Sequence, residues 1–212
     1  MYIAEIGINH EGSEQKADAM LHSVVSTSID AVTFQIPSKD YLNSQEPKRR
    51  PLSNAFYKQA IKICNDFGKK IGFACSDIEL INFLDSCGAD FWKTLSIDLS
   101  DEELLKKYLK TGKTTFISTG ISGMDEIRKI SFLNGEMKFI HTQISNKIED
   151  VNLKAIDNIR SITGKDVAFG HHCLDERVLY LSAVFEPSDI FFYVKSTKSD
   201  NYPDGPHAIV IN

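Results

Sequence analysis

The apolar positions of the chain fall into two alternating rhythms. Short runs rich in β-branched and aromatic residues recur at Ile3–Asn9, Ala31–Ile36, Ile71–Ser76, Phe91–Ser96, Thr114–Gly120, Met137–Gln143, Val167–His172 and Ile190–Ser196. Between them lie stretches with helical amphipathic patterning: Glu14–Ser26, Asn54–Phe67, Asp77–Ser86, Asp101–Leu109, Met124–Phe132, Val151–Ile162 and Leu174–Val184. The first rhythm suits strands covered on both faces, the second helices with one buried stripe. Strict strand–helix alternation implies parallel strands joined by right-handed crossovers. Eight such strands predict a closed (β/α)8 barrel, a TIM barrel. No GxGxxG follows the first run, which argues against an open dinucleotide-binding sheet.

Local signals agree with these boundaries. Ser100 stands before Asp101, Glu102 and Glu103, a cap followed by acids at the positive end of a helix. Gly68, Gly88, Gly112 and Gly164 fall where helices should stop. Two stretches break the regularity. Pro37–Ser53 is long for a connection after a barrel strand and contains the basic run Lys48-Arg49-Arg50; it reads as a lid or as a solvated charge run. Beyond the eighth run no helix-length segment follows, so the last outer helix is expected to be missing. The outer face of the last strand would then be partly uncovered and would meet a partner, either a second copy in a homodimer or a separate chain.

Composition narrows the class. With 212 residues, 42% hydrophobic and 25% charged, the chain reads as one globular domain over residues 1–212. A net charge of -5 argues against a nucleic-acid partner. There is no membrane-length apolar run and no signal-peptide pattern at the first residues. Cys64, Cys75, Cys87 and Cys173 form no CxxC pair and read as reduced thiols of a cytoplasmic protein.

In such a barrel reactive groups gather at the C-terminal strand ends, and residues two apart share a face. Glu5 and Asn9, with His10 just beyond, mark the first strand; Thr33 and Gln35 the second; Lys93 and Ser96 the fourth. His141 and Gln143 pair on the sixth, His172 ends the seventh, and Lys195 with Ser196 ends the eighth. Polar groups in apolar strands need partners, and a barrel mouth supplies them. Alternatives stand beside these readings: Glu5 and Lys93 could form a purely structural buried pair, and His141 could be a satisfied core histidine. Only one of the adjacent His171 and His172 can point inward. Two of His10, His172 and His207 could approach one another as metal ligands, although no spacing rule demands it.

The segment Ala4-Glu5-Ile6-Gly7-Ile8-Asn9-His10-Glu11-Gly12-Ser13 resembles the first strand and loop of the N-acetylneuraminate (sialic acid) synthases. The likeness continues through Ala31–Gln35, Phe73–Ser76, Trp92–Ser96, Ile117–Gly120, Ile140-His141, Glu149–Leu153, Gly170–His172 and Gly205-Pro206. Those synthases are (β/α)8 enzymes that condense phosphoenolpyruvate with an N-acetylated amino sugar, using a divalent metal such as manganese or magnesium. The resemblance implies a transferase-type, carbon–carbon bond-forming synthase of carbohydrate biosynthesis. It puts Glu5 near the reacting centre and Lys93, Ser76, Ser96 and Ser118 around the phosphoenolpyruvate. Asn9, His10, Gln35 and His141 would line the pocket, and His172 would hold the metal.

The sequence also departs from the family. A family lysine on the second strand is Thr33 here, and the eighth strand ends in Lys195-Ser196 where the family has a second metal-binding histidine. Gly-Pro-Asp-His becomes Gly205-Pro206-His207-Ala208, and the loop after the sixth strand reads Ser145-Asn146-Lys147-Ile148 instead of Tyr-Pro-Thr-Pro. The family's C-terminal antifreeze-like domain has no counterpart in these 212 residues. Lys195 is the candidate to replace the missing positive charge and His207 the missing imidazole. Three functions remain open: a divergent synthase acting on a sugar or small phosphorylated acid, a non-catalytic barrel serving binding or assembly, and an aldolase-type barrel using Lys93 as a Schiff-base amine.

Overall fold

The structure is a computed structural model and describes residues 1–37, 47–198 and 201–211. Eight strands run parallel in sequence order: β1 (Tyr2–Gly7), β2 (Ala31–Ile36), β3 (Lys70–Cys75), β4 (Phe91–Lys93), β5 (Thr115–Ser118), β6 (Met137–His141), β7 (Val167–His171) and β8 (Ile190–Lys195). β8 pairs back onto β1, with Tyr2 opposite Ile190 and Glu5 opposite Tyr193, so the sheet closes. Helices α1 (Glu14–Val25), α2 (Asn54–Asp66), α3 (Ile78–Cys87), α4 (Glu102–Leu109), α5 (Met124–Ile130), α6 (Ala155–Thr163) and α7 (Arg177–Ser182) fill the crossovers. This is the expected TIM barrel.

Side-chain parity explains where the core sits. Outward residues such as Phe34, Phe73 and Trp92 pack under α1 to α4, while Ile117, Phe139 and Phe169 pack under α4 to α7. Inward residues Ile3, Phe91, Phe116, Ile140, Ala168 and Phe191 fill the lumen. Phe116 meets Phe191 edge-on with ring centroids 5.0 Å apart, and Phe91 at 5.5 Å, so the lower barrel is a packed plug. Gly72 makes room for it, because a Cβ there would lie 2.2 Å from the Phe91 ring. The polar mouth therefore begins above a closed hydrophobic floor.

Several strands are shorter than the apolar runs. β4 stops at Lys93, β5 at Ser118 and β6 at His141, and the polar residues that follow leave the ladder to build the mouth. The cap of α4 is Asp101, not Ser100: its carboxylate accepts from Leu104 N at 3.0 Å, while Ser100 ends a 3-10 turn over Ser96–Ser100. Gly88 and Gly164 take the left-handed conformation as helix caps. Of the long segment after β2, residues 38–46 lie outside the described residues; Pro47–Arg49 form a 3-10 turn.

Among the described residues no helix follows β8. A turn leads instead to a short strand β9 (Ile209–Val210), which pairs with β8. The outer face of β8 is better covered than expected: Val194 is buried and Phe192 is half-buried against the core under α1 and α2. Exposed apolar side chains on α7 and the turn after it include Tyr180, Leu181 and Val184. None of the four cysteines forms a disulfide among the described residues, and three are buried. No helix among the described residues is long and apolar enough to cross a membrane.

Candidate functional site at the barrel mouth

The first strand sets the geometry. Its register shifts between Glu5 and Gly7, and Gly7 takes φ +54°. A Cβ at Gly7 would lie 2.8 Å from the Tyr193 ring and 3.3 Å from the Asp204 carboxylate, so only glycine lets all three groups share this corner. Below it Glu5 points into the lumen and meets Lys93 from β4, with Nζ 2.6 Å from Oε2. Both side chains are less than 10% exposed. Lys93 also stands over the Phe191 and Tyr193 rings, 5.8 and 5.7 Å from their centroids. A buried charge needs a partner, and these two supply each other.

Two imidazoles flank the pair. His172 turns inward and its ring lies nearly parallel to that of His207, with centroids 4.7 Å apart; the Tyr193 ring meets both edge-on. Burial, with His207, Lys93 and His171 adding to it, lowers His172 to about 3. Burial lowers His207 to about 4. Both rings therefore stay neutral at physiological pH, the state in which imidazole binds metal. Neither ring nitrogen of His207 has a hydrogen-bond partner among the described residues. No third His, Cys, Asp or Glu converges with them into a metal cluster among the described residues. His171 faces the opposite way, onto Phe169 outside the lumen.

Serine hydroxyls form the third part. Ser96 and Ser118 Oγ atoms lie 2.9 Å apart, and Ser96 Oγ accepts from Gly120 N at 3.2 Å. Gln35 and Ser76 line a cavity of about 320 Å³ over the ends of β2, β3 and β4. Thr33, opposite Glu5, keeps a buried hydroxyl with no partner among the described residues.

Other candidates also hold neighbouring segments together. Asn9 ties three segments together: Nδ2 donates to the Val194 carbonyl at 2.9 Å, and Oδ1 accepts from Asp204 N at 2.9 Å. His10 Nδ1 accepts from Gly12 N at 3.0 Å, its ring lies beside Phe34, and burial lowers it to about 4. Lys195 donates to the Gly205 carbonyl at 2.6 Å, holding the turn after β8. His141 takes the outward parity of β6, and its Nε2 bonds the Val151 carbonyl at 2.8 Å; the fold places it under α6 and away from the mouth. That is the satisfied core histidine of the two sequence readings.

Two residues at the mouth carry no periodic signal. Asp204 comes from the turn after β8; burial, reinforced by Glu5, raises its carboxyl to about 6 against the pull of Lys93 and Arg49, and its Oδ2 has no partner among the described residues. The sequence Tyr202-Pro203-Asp204-Gly205 is a turn signature, which could have flagged a carboxylate held at a fixed point. Tyr193 lies two residues before Lys195 and shares its inward face; burial, and then Glu5, hold its hydroxyl well above the usual phenol range.

The fold and these groups define a (β/α)8 protein with a polar, charge-paired site at the strand C-terminal ends. The NeuB family model matches residues 19–188, and the chain belongs to that family. Among curated relatives it is 29% identical to an uncharacterized protein of Methanocaldococcus jannaschii, over 81% of this chain and 55% of that one. It is 25% identical to the N,N'-diacetyllegionaminic acid synthase of Campylobacter jejuni, over 81% and 60%. To the human N-acetylneuraminate-9-phosphate synthase it is 24% identical, over 80% and 54%. The chain thus spans little more than half the length of these relatives. Among solved structures the N-acetylneuraminic acid synthetase of Leptospira borgpetersenii, in complex with citrate, superposes with a TM-score of 0.89 at 18% identity, covering 99% of this chain and 78% of that one. The DAHP synthase of Thermotoga maritima gives 0.75 at 11%, covering 100% and 64%. These two likenesses speak for the fold.

Proposed function

We propose that this barrel is a sugar-acid synthase module that condenses phosphoenolpyruvate, or a closely related phosphorylated acid, with an amino sugar. The observation that carries this reading is the Glu5–Lys93 pair, 2.6 Å apart inside the mouth of a NeuB-family barrel. Lys93 is placed to draw an anionic substrate against its ammonium. Glu5 accepts from it and lies against Tyr193, so it can take or return a proton at Oε2 once a substrate competes for Lys93. The Ser96 and Ser118 hydroxyls offer neutral donors to phosphate oxygens. The aromatic floor keeps water from entering below.

His172 and His207, neutral and with the His207 nitrogens unpartnered among the described residues, are the residues that would hold a divalent cation such as manganese or magnesium. A cation there would supply Lewis-acid polarisation of a sugar carbonyl. Titration of the protein with phosphoenolpyruvate by calorimetry, with and without manganese, tests the reading. Binding that manganese strengthens and Lys93→Ala removes is the expected result. No binding in either condition sinks it.

A second reading is favoured by one observation. The lumen beside Glu5 holds the neutral Thr33, and the nearby Lys195 is bonded to the Gly205 carbonyl. A barrel that binds the phosphorylated acid without turning it over fits that loss, and ligand binding with no product formed from N-acetylated amino sugars would establish it.

A further inference from the structure

Around the Glu5–Lys93 pair the lumen holds more hydrogen-bonding capacity than its own residues use. Thr33, opposite Glu5 on β2, has a buried hydroxyl with no partner among the described residues, and the same is true of Asp204 Oδ2. Both charges of the pair act on Asp204, so these atoms belong to one neighbourhood. Buried polar atoms without partners are costly, and a group of them beside a charged pair marks a place for a small polar molecule.

The pair itself has the parts of an amine that captures carbonyl groups. Lys93 Nζ and Glu5 Oε2 lie 2.6 Å apart, close enough for direct proton transfer. The amine stands over the Phe191 and Tyr193 rings, 5.8 and 5.7 Å from their centroids, above the apolar plug that holds Phe91 and Phe116. Tyr193 also hydrogen-bonds to Glu5, which holds the carboxylate in place while a proton moves. A lysine in desolvated surroundings, with a proton acceptor on its amine, is placed to act as a nucleophile.

We propose that Lys93 captures small 2-oxo acids, of which pyruvate is the simplest, as a covalent imine. Glu5 Oε2 takes a proton from the Lys93 ammonium, and the freed Nζ lone pair forms a bond to the carbonyl carbon. The carbonyl oxygen gains two protons, both relayed by Glu5 from Nζ, and leaves as water as the C=N bond forms. Three N–H protons thus become one N–H and one water, and the single positive charge passes from ammonium to iminium. Glu5 ends as the carboxylate, so the buried pair is compensated before and after the reaction. The Thr33 hydroxyl is the neutral donor at hand for the carboxylate of the captured acid. An iminium here acidifies the C–H beside it, which activates that carbon for making or breaking a carbon–carbon bond. This activity goes beyond the synthase reading, because phosphoenolpyruvate has no free ketone and forms no imine.

The test is incubation of the 212-residue chain with pyruvate and sodium borohydride, followed by peptide mass spectrometry. Borohydride delivers hydride to the imine carbon and fixes the adduct as a secondary amine. The expected result is an adduct on Lys93 that forms at least tenfold faster than on an exposed lysine such as Lys110 of the same chain. Glu5→Gln, checked for folding by circular dichroism, should slow it at least tenfold. No adduct on the wild-type chain, or adducts spread over exposed lysines with no preference for Lys93, overturns the proposal whether or not the variant folds. A folded Glu5→Gln that traps pyruvate as fast as wild type overturns it too, since Glu5 is then not the proton carrier. Phosphoenolpyruvate that binds by calorimetry while no adduct forms would sink this proposal and leave the synthase reading standing. A Lys93 adduct with no phosphoenolpyruvate binding would do the reverse.

Discussion

At the residue scale the Glu5–Lys93 pair dominates. Both side chains are buried, so removing one leaves the other charged and without compensation, at a cost of about 3–5 kcal/mol. Lys93→Met should therefore lower the urea midpoint sharply, while Glu5→Gln combined with Lys93→Met should recover a large part of the loss. Equal midpoints for the single and double variants would show that the pair is not coupled. Much of this site was legible, because Glu5 and Lys93 stand out as charges inside apolar strands. His141 misled for a physical reason: β6 is apolar on both faces, so alternation alone does not say which parity looks into the lumen. Ile140 took the inside and His141 the outside. Asp204 and Arg49 reach the mouth from turns, where no period marks direction.

At the element scale the local chemistry is more exposed to test than the barrel as a whole. The Asp101 carboxylate satisfies Leu104 N at the start of α4, so Asp101→Ala should cost about 1 kcal/mol by chemical unfolding. Ser100→Ala should cost almost nothing; a larger effect there than at Asp101 would reverse the assignment of the cap. Gly72 makes a second case. Its missing side chain is occupied by the Phe91 ring, and Gly72→Ala must push that ring into Phe116, which overpacks the floor by about 1–3 kcal/mol. A stability unchanged from wild type would mean the floor is looser than its contacts imply. Strand positions were readable from the apolar runs, but their ends were not. Thr94–Ser96, Thr119-Gly120 and Thr142-Gln143 continue the sequence pattern, yet they leave the ladder to line the mouth.

At the scale of the whole molecule, strand–helix alternation was enough to indicate closure, since eight parallel strands bury every edge only when the last meets the first. The distribution of buried imidazoles was not legible, because it depends on how loops close over the mouth. That closure has a measurable consequence. His10 is fully buried and lowered to about 4 by desolvation, whereas in the unfolded chain it titrates near the ordinary imidazole value of 6.5. The unfolded state therefore binds more protons between these values, so stability is full above about pH 6.5 and falls as pH drops toward 4. By pH 5 this one group should remove about 2 kcal/mol. Burial lowers His171, His172 and His207 as well, to about 4, 3 and 4, and each works in the same direction. Asp204 works in the opposite one: raised to about 6, it adds stability below pH 3.8 that fades as pH rises through 6. Four imidazoles outweigh one carboxyl, so urea midpoints should fall between pH 7 and pH 5. His10→Asn, which keeps an acceptor for Gly12 N, should flatten that fall. Midpoints that stay level across the range would mean that the mouth admits water to these rings and is more open than its contacts require.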